Sequence, residues 1–295
     1  MYDVIIYGGT FAGVVAAILY KNMGFNVFLL NRYGFLGGSI TESLNLYQRI
    51  SLNQVSIKRD FTQFNYRNDI TSKLIFELLN EINSVFWREN LECILNPESV
   101  KYFLQRQLVE NEINSLFHII PIELKLEKDV YELKVFAKEG ELIFYTKRII
   151  DASREAALIK LITNLDFRIK DVRLNMIVRN SYLEEENFYP DPIFKKHINH
   201  NRIYFSFPVD TKTLSEVEIN SHLLLDRLDN LFRREKGRIQ LLPAQSFINY
   251  ELRDKNIAVK NIFSPFLMTK KYQPEEELIM AEEFERFIKD ESLIR

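Results

Sequence analysis

The chain has 295 residues, 46% of them hydrophobic, and its 39 Lys and Arg against 41 Asp and Glu leave a formal net charge of −2. That is enough length and apolar content for one two-lobed enzyme or two domains, and the balanced, dispersed charge gives a nucleic-acid partner no footing. A single cysteine, Cys93, excludes an intramolecular disulfide. With no secretory leader and no apolar run near the length of a membrane span, a soluble cytoplasmic protein without a membrane partner is expected.

In chain order, a buried strand is expected over Val4 to Tyr7. It feeds Gly8-Gly9-Thr10-Phe11-Ala12-Gly13, a helix follows over Val14 to Met23, Gly24 stops it, and Phe25 to Leu30 reads as a second buried strand. Seven of the nine glycines lie between Tyr2 and Leu44. This βαβ unit carries a variant of the dinucleotide fingerprint, with Gly8 and Gly13 at the outer positions and Thr10 in the middle one. Gly8 permits the sharp turn, and Gly13 with Ala12, Ala16 and Ala17 lets the helix lie close to the sheet. The helix then points its unpaired N–H groups and positive dipole end at a pyrophosphate. The Cβ of Thr10 loosens that approach, and a glycine turn of this kind that binds nothing is the alternative. At Asn31 such proteins usually carry an acid that accepts from both ribose hydroxyls; Asn31 accepts through one oxygen, more weakly.

A second cluster, Gly34-Phe35-Leu36-Gly37-Gly38-Ser39, follows. With it, the first 44 residues resemble the FAD-dependent oxidoreductases that have a glutathione-reductase-type dinucleotide domain. The branch in question opens with DVxxxGGTxAG, here Asp3 to Gly13, and continues with GxLGGxxT, here Gly34 to Thr41. The resemblance implies FAD as cofactor, held by Gly8, Gly9, Thr10, Phe11, Ala12, Gly13, Asn31 and Arg32. It also implies that Gly37, Gly38, Ser39 and Thr41 pass close to the pyrophosphate and ribityl groups. A neutral Asn31 followed by Arg32 also suits a 2′-phosphate, which leaves NADP as an alternative.

Leu44 to Asn68 shows no clear period; the resemblance implies that it passes near the flavin. Thr71 to Phe86 reads as an amphipathic helix on Leu74, Leu78, Ile82 and Val85. Asn96 and Pro97 start another helix, running to about Glu112. A short buried strand is expected over Phe117 to Ile120. Glu123 to Lys128, Val130 to Ala137 and Glu141 to Tyr145 then alternate as an antiparallel meander, with Gly140 turning the last hairpin. The strand ending in Ile149-Ile150-Asp151-Ala152-Ser153 and turning into a helix is similar to the family's Asp-Ala-Thr/Ser element, which adds Ala152 and Ser153 to the implied FAD contacts. Ala156-Ala157 replace the family's Gly-Asp there. Taken from the residues alone, the element also fits a buried strand whose Asp151 is satisfied by backbone groups.

Strands are expected over Val172 to Arg179 and Arg202 to Val209, a long helix over Leu214 to Arg234 with Leu223, Leu224, Leu228, Leu231 and Phe232 on its apolar face, and a further strand within Gln240 to Tyr250. His197 and His200 read as solvated loop histidines, His118 and His222 as isolated, and Glu184-Glu185-Glu186 as exposed charge; no metal site or nucleophile–His arrangement follows from any spacing. The chain closes with a strand around Asn261 to Phe263 and a helix from Pro274 to about Lys289. Ser264-Pro265 and the three acids Glu275, Glu276 and Glu277 depart from the family's glycine-rich and small-residue pattern. Those acids suit the helix dipole and would repel a pyrophosphate unless they face solvent.

The expected architecture is α/β: a Rossmann-like FAD/NAD(P)-binding domain, with a parallel sheet and a β-meander crossover, and an inserted α+β substrate lobe. Residues 1–45, 95–160 and 255–295 would form the discontinuous FAD-binding domain, and 46–94 with 161–254 the substrate lobe. Two functions are open. One is a flavoenzyme that positions a small-molecule substrate for hydride transfer or oxygen chemistry, with NAD(P)H or oxygen as redox partner and catalytic residues unassigned. The other is a cofactor-free partner subunit that keeps the fold.

Overall fold

The computed structural model describes residues 1–50, 69–163, 167–179, 190–211, 213–252, 259–268 and 273–293. The expectations for Glu184-Glu185-Glu186 and for most of Leu44 to Asn68 lie outside them. The chain opens with β1 (Tyr2–Tyr7), α1 (Phe11–Asn22) and β2 (Val27–Leu30), then α2 (Ser39–Glu42) and β3 (Tyr47–Arg49). Next come α3 (Ile70–Asn80), β4 (Val85–Glu89), β5 (Glu92–Leu95), α4 (Pro97–Glu110), β6 (Asn114–Leu116), β7 (Ile120–Glu127), β8 (Val130–Ala137), β9 (Gly140–Asp151) and α5 (Ala157–Lys160). After these follow β10 (Phe167–Arg179), β11 (Phe194–Asn199), β12 (Arg202–Pro208), α6 (Leu214–Arg234), β13 (Arg238–Leu241) and β14 (Phe247–Leu252). The last elements are β15 (Ile262–Phe263), α7 (Pro265–Met268), a 3₁₀ turn (Pro274–Glu276) and α8 (Glu277–Leu293).

Two compact units result. The first comprises 1–38, 47–166 and 254–295, and the second 39–46 and 167–253. In the first unit a sheet runs β6-β2-β1-β9-β8-β7, with β15 beside β9. β6, β2, β1, β9 and β15 are parallel neighbours, whereas β7, β8 and the first half of β9 form the antiparallel meander. β9 serves both parts: Gly140 to Thr146 pairs with β8, and Thr146 to Asp151 with β1. Val4 to Tyr7 of β1, β2 and the Ile149-Ile150 end of β9 are apolar because both faces are covered there, and Val4, Ile5, Ile6, Ile149 and Ile150 are all buried.

Several boundaries differ from the sequence expectation. α1 begins at Phe11, because Thr10 caps it, and not at Val14. The helix expected to reach Phe86 ends at Asn80; Asn83 takes a positive φ of 63° and Ile82 is 90% exposed, so the chain turns out of the helix and Val85 belongs to a strand. The third parallel strand is Asn114–Leu116, just before the expected Phe117 to Ile120, since His118 also has a positive φ. β3, β5 and β4 form a three-stranded antiparallel sheet that no pattern announced. Residues 47–94, expected with the second lobe, fall in the first unit because α3 packs on α8 and β3 on the turn that precedes it.

The second unit is a five-stranded antiparallel sheet, β11-β12-β10-β13 with β14 also on β10, covered by α6. Leu174, Met176, Val178, Phe205 and Phe207 pack under Leu224, Leu228 and Phe232, while Leu223, expected inside, is exposed. His197 lies on β11 as an exposed strand residue and not in a loop. The expected strand within Gln240 to Tyr250 is two strands, β13 and β14.

The start of α3 is held from a distance. Its N-cap residue, Asp69, makes no side-chain cap bond. Instead, the buried Glu285 of α8 accepts from the N–H groups of Ile70 (2.8 Å) and Thr71 (2.7 Å) and pairs with Lys289 (2.8 Å). Glu285→Ala leaves two amides of a helix end unsatisfied and is expected to destabilise the protein by about 2 kcal/mol, read as a lower urea midpoint at unchanged m.

Candidate functional site: the glycine turn between β1 and α1

β1 enters the turn buried on both faces, and Gly8 turns it with a φ of +110° that only glycine adopts without strain. A Cβ on Gly8 would lie 2.6 Å from the peptide joining Ala152 to Ser153, so the turn rests directly on the end of β9. Gly13 faces the carbonyl oxygen of Gly8, leaving no room for a Cβ, and the Ala152 methyl closes the other side. Thr10 is the N-cap: its Oγ1 accepts from the Gly13 N–H (3.1 Å) and donates to the Ala152 carbonyl (3.2 Å). The structure therefore brings Gly8, Thr10, Gly13, Ala152 and Ser153 together, as the two separate motifs anticipated.

The second glycine pair closes on the first, since the Gly37 N–H donates to the Gly9 carbonyl (2.7 Å). Asn31, 3% exposed, is engaged within this loop. Its Oδ1 accepts from the Gly9 N–H (2.7 Å), and its Nδ2 donates to the carbonyls of Tyr33 (3.1 Å) and Phe35 (2.7 Å). Arg32 is largely exposed, 3.8 Å from Glu155 and over the Tyr33 ring. Ser39 and Thr41 lie on α2, in the second unit, where the Ser39 carbonyl accepts from the Ser43 hydroxyl (3.0 Å).

Asp151 ends β9 with no exposed surface. Its Oδ1 accepts from Ser153 Oγ (2.6 Å) and N–H (3.2 Å), and its Oδ2 from the N–H groups of Leu158 (2.8 Å) and Ile159 (3.0 Å). The carboxylate thus binds β9 to the start of α5, as the residue-level reading proposed. Ala156, at the position of a family glycine, keeps a left-handed conformation (φ 49°, ψ 51°). The turn survives with alanine in it, at a cost of about 1 kcal/mol.

Two residues near the turn went unassigned in sequence. Glu277, the first residue of α8, is 0% exposed, and its Oε1 lies 2.9 Å from where a Cβ on Gly38 would sit. Thr10 Cγ2 is 2.6 Å from that same point, so the Glu277 carboxylate and the Thr10 methyl both border Gly38. Gln48, also fully buried, accepts the Glu277 N–H (3.1 Å). Of the three acids read as repelling a pyrophosphate unless they face solvent, Glu277 is buried beside the turn. Their legible sign was spacing: Glu277, Ala281, Phe284, Glu285 and Ile288 share one buried stripe of α8.

In the second unit, a cleft of about 450 Å³ is lined by Leu174, Val217, Ser221, His222, Leu242 and Ile248, among others. Among the described residues no three His, Cys, Asp or Glu are grouped to hold a metal, and no helix is long and apolar enough to cross a membrane.

A parallel sheet entered by a glycine turn, with a meander returning to its centre, defines the fold as a Rossmann-like dinucleotide-binding domain with a second α+β lobe. Residues 3–169 match the family of FAD dependent oxidoreductases. That is more than half of the chain, which therefore belongs to this family of enzymes whose cofactor is FAD. No curated protein matches it by sequence. Among solved structures it is similar to aklavinone-11 hydroxylase, solved with FAD and aklavinone (TM-score 0.61, 10% identity, 96% of this chain and 60% of that one). It is also similar to p-nitrophenol 4-monooxygenase from Pseudomonas putida (0.62, 10%, 97% and 78%). A third is a geranylgeranyl bacteriochlorophyll reductase-like protein from Thermoplasma acidophilum (0.59, 12%, 98% and 83%). The chain spans about three fifths of the length of AlpK (59%) and of aklavinone-11 hydroxylase (60%).

The turn fits a dinucleotide on its own geometry. Gly8 is left-handed, and Thr10 takes the third amide of α1. The first two, on Phe11 and Ala12, make no hydrogen bond among the described residues and remain for a phosphate oxygen.

Burial pushes the Asp151 carboxyl from 3.8 up to about 6, against the hydrogen bonds from Ser153 and Ile159. A raised native value means that the folded protein holds the proton more tightly than the unfolded chain, so this contribution is complete below about pH 4 and is lost as pH rises through 6. Relative to Asp151→Asn, the wild type is expected to lose about 3 kcal/mol of stability between pH 4 and pH 7, read from urea unfolding of both proteins across that range.

Proposed function

We propose that the chain is a flavoprotein oxidoreductase that binds FAD along Gly8 to Gly13 and acts on a small molecule by hydride transfer or oxygen chemistry, with NAD(P)H or oxygen as redox partner. The observation that carries this reading is the Gly8–Gly13 turn seated on Ala152 and Ser153, in a chain of the FAD dependent oxidoreductase family. FAD would supply the two-electron chemistry that no side chain here provides. The protein's part is recognition. The amides of Phe11 and Ala12 would hold the pyrophosphate at the positive end of α1, Thr10 fixes the helix start, and Asn31 shapes the turn through Gly9. Arg32, exposed two residues beyond β2, would be a cationic contact for the adenosine end. The glutathione-reductase-type assignment of the motif belongs to this proposal, and the two linked glycine turns support it.

A cytoplasmic setting is part of the same reading. The single cysteine, Cys93, is buried and its thiol is pushed up to about 12 by burial, so it is neither a disulfide partner nor a nucleophile. A cofactor-free partner subunit is the second reading, favoured by the buried acid beside the turn.

The purified protein is expected to be yellow and to release FAD on denaturation; a colourless protein that takes up no added FAD excludes the flavoenzyme. Gly13→Val drives a side chain into the Gly8 carbonyl and is expected to abolish FAD retention while the circular dichroism stays α/β. Stoichiometric FAD in that variant puts the pyrophosphate elsewhere.

A further inference from the structure

We propose that Glu277 is an internal anion of the glycine turn, a carboxylate that stands where FAD brings its own negative charge and that FAD must displace or neutralise in order to bind. The proposal rests on the flavin reading above and concerns the first residue of the closing helix, where the acids depart from the small-residue pattern of the resembled family. Three observations carry it. Glu277 has no exposed surface, so its carboxylate is inside the protein and not part of a solvated charge run. Its Oε1 and the Thr10 methyl both border the Cβ position of Gly38, which puts the carboxylate against the second glycine turn and near the residue that caps α1. Gly8, Gly9, Thr10, Gly37 and Gly38 are themselves buried, with the Leu36 methyl against Gly9 and Glu277 against Gly38.

The chemistry follows from charge. The N-terminus of α1 favours an anion, and a buried carboxylate near it lies in that field without bonding the Phe11 or Ala12 amide. A pyrophosphate arriving at the same turn meets a like charge in a medium that screens little, so binding is opposed until Glu277 moves away or takes up a proton. The neighbours of Glu277 fit a carboxylate held in place. The Gln48 amide oxygen fixes the backbone at the head of α8, and the adjacent Glu276 lies in the field of Arg49 of β3, which also pairs with Glu92 (4.0 Å). A carboxylate so placed makes cofactor loading a step that the apoprotein resists, and it links the position of α8 to the occupancy of the turn.

Calorimetry of the full-length apoprotein with FAD, ADP and adenosine tests this, with Glu277→Gln beside the wild type. The glutamine keeps the shape and removes the charge. The expected result is at least tenfold tighter binding of FAD and ADP, which carry the pyrophosphate, and unchanged binding of adenosine, which does not. A merely structural role would shift all three alike or none. Equal FAD affinity in the two proteins, or weaker binding in the variant, overturns the proposal and leaves the flavin reading standing. Failure of both proteins to bind FAD overturns the flavin reading and the proposal with it. If Glu277→Gln does not fold by circular dichroism, Glu277→Asp retains the charge but draws it back from Gly38. FAD binding tighter than wild type then supports the proposal, and binding no tighter than wild type overturns it.

Discussion

The structure depends on how closely α1 approaches the sheet. Gly13 sits against the Gly8 carbonyl and the Ala152 methyl, so helix, turn and the end of β9 are in van der Waals contact with no side chain between them. Hydrogen bonds fix the same level on three strands: Gly8 N–H to the Leu30 carbonyl (2.8 Å) and Ala152 N–H to the Tyr7 carbonyl (2.8 Å). Thr10 adds a third tie, from the helix cap to the Ala152 carbonyl. Because β1 and β9 are buried on both faces, neither can slip along the other without exposing an apolar run, and the turn inherits their register. A site built this way is set by the core and not by loop flexibility, which suits a ligand gripped by backbone amides.

What was legible in the sequence was what depends on neighbours along the chain. The glycine turn, the Asn96 cap with Pro97, and the Gly140 hairpin are local devices, and each is where the residues put it. The failures share one cause, the dependence of an element's end on what covers it. Leu74, Leu78, Ile82 and Val85 keep helical spacing, but the core accepts the first two and leaves Ile82 in water, so the helix stops. β9 reads as two segments because half-buried alternation up to Tyr145 gives way to the polar Thr146-Lys147-Arg148 and then to the buried Ile149-Ile150-Asp151; the change at Thr146 marks a switch of neighbours and not a break in the strand. The β3–β5–β4 sheet left no period to read, since β4 is only partly buried along most of its length.

The site was legible in outline for the same reason. Asp151 and Ser153 were read from an element whose bonds are all local, and they hold each other and the start of α5. Asn31 was placed by analogy as a ribose acceptor, yet its oxygen and its amide nitrogen serve the loop that follows it, a use that only the fold of residues 31 to 35 determines. Ser39 and Thr41 follow the second glycine pair in sequence but cluster with the second unit, where the Asn175 side chain donates to the Ser43 carbonyl (2.8 Å) and the Tyr204 hydroxyl to that of Leu44 (2.9 Å). Those anchors come from β10 and β12, more than a hundred residues away, and leave no trace near the glycines.

The acids of α8 show how a run of like charge misleads. Glu277 and Glu285 are eight residues apart, a little over two helical turns, and both are buried on the side of α8 that faces its own unit. Each lies at the beginning of another helix. Glu285 receives the first amides of α3, and Glu277 lies beside Thr10, which caps α1. An isolated buried carboxylate costs several kcal/mol, so two of them on one helix face are tolerable only where positive helix ends or cations meet them. α8 therefore does more than cover the sheet: it supplies negative charge to helix starts. At α3 that charge completes the fold, with Lys289 balancing it, whereas at α1 it stands at the turn that a dinucleotide needs. The same physical device thus stabilises one helix and sets a threshold for ligand entry at the other, and the difference lies in whether the helix end has a second claimant.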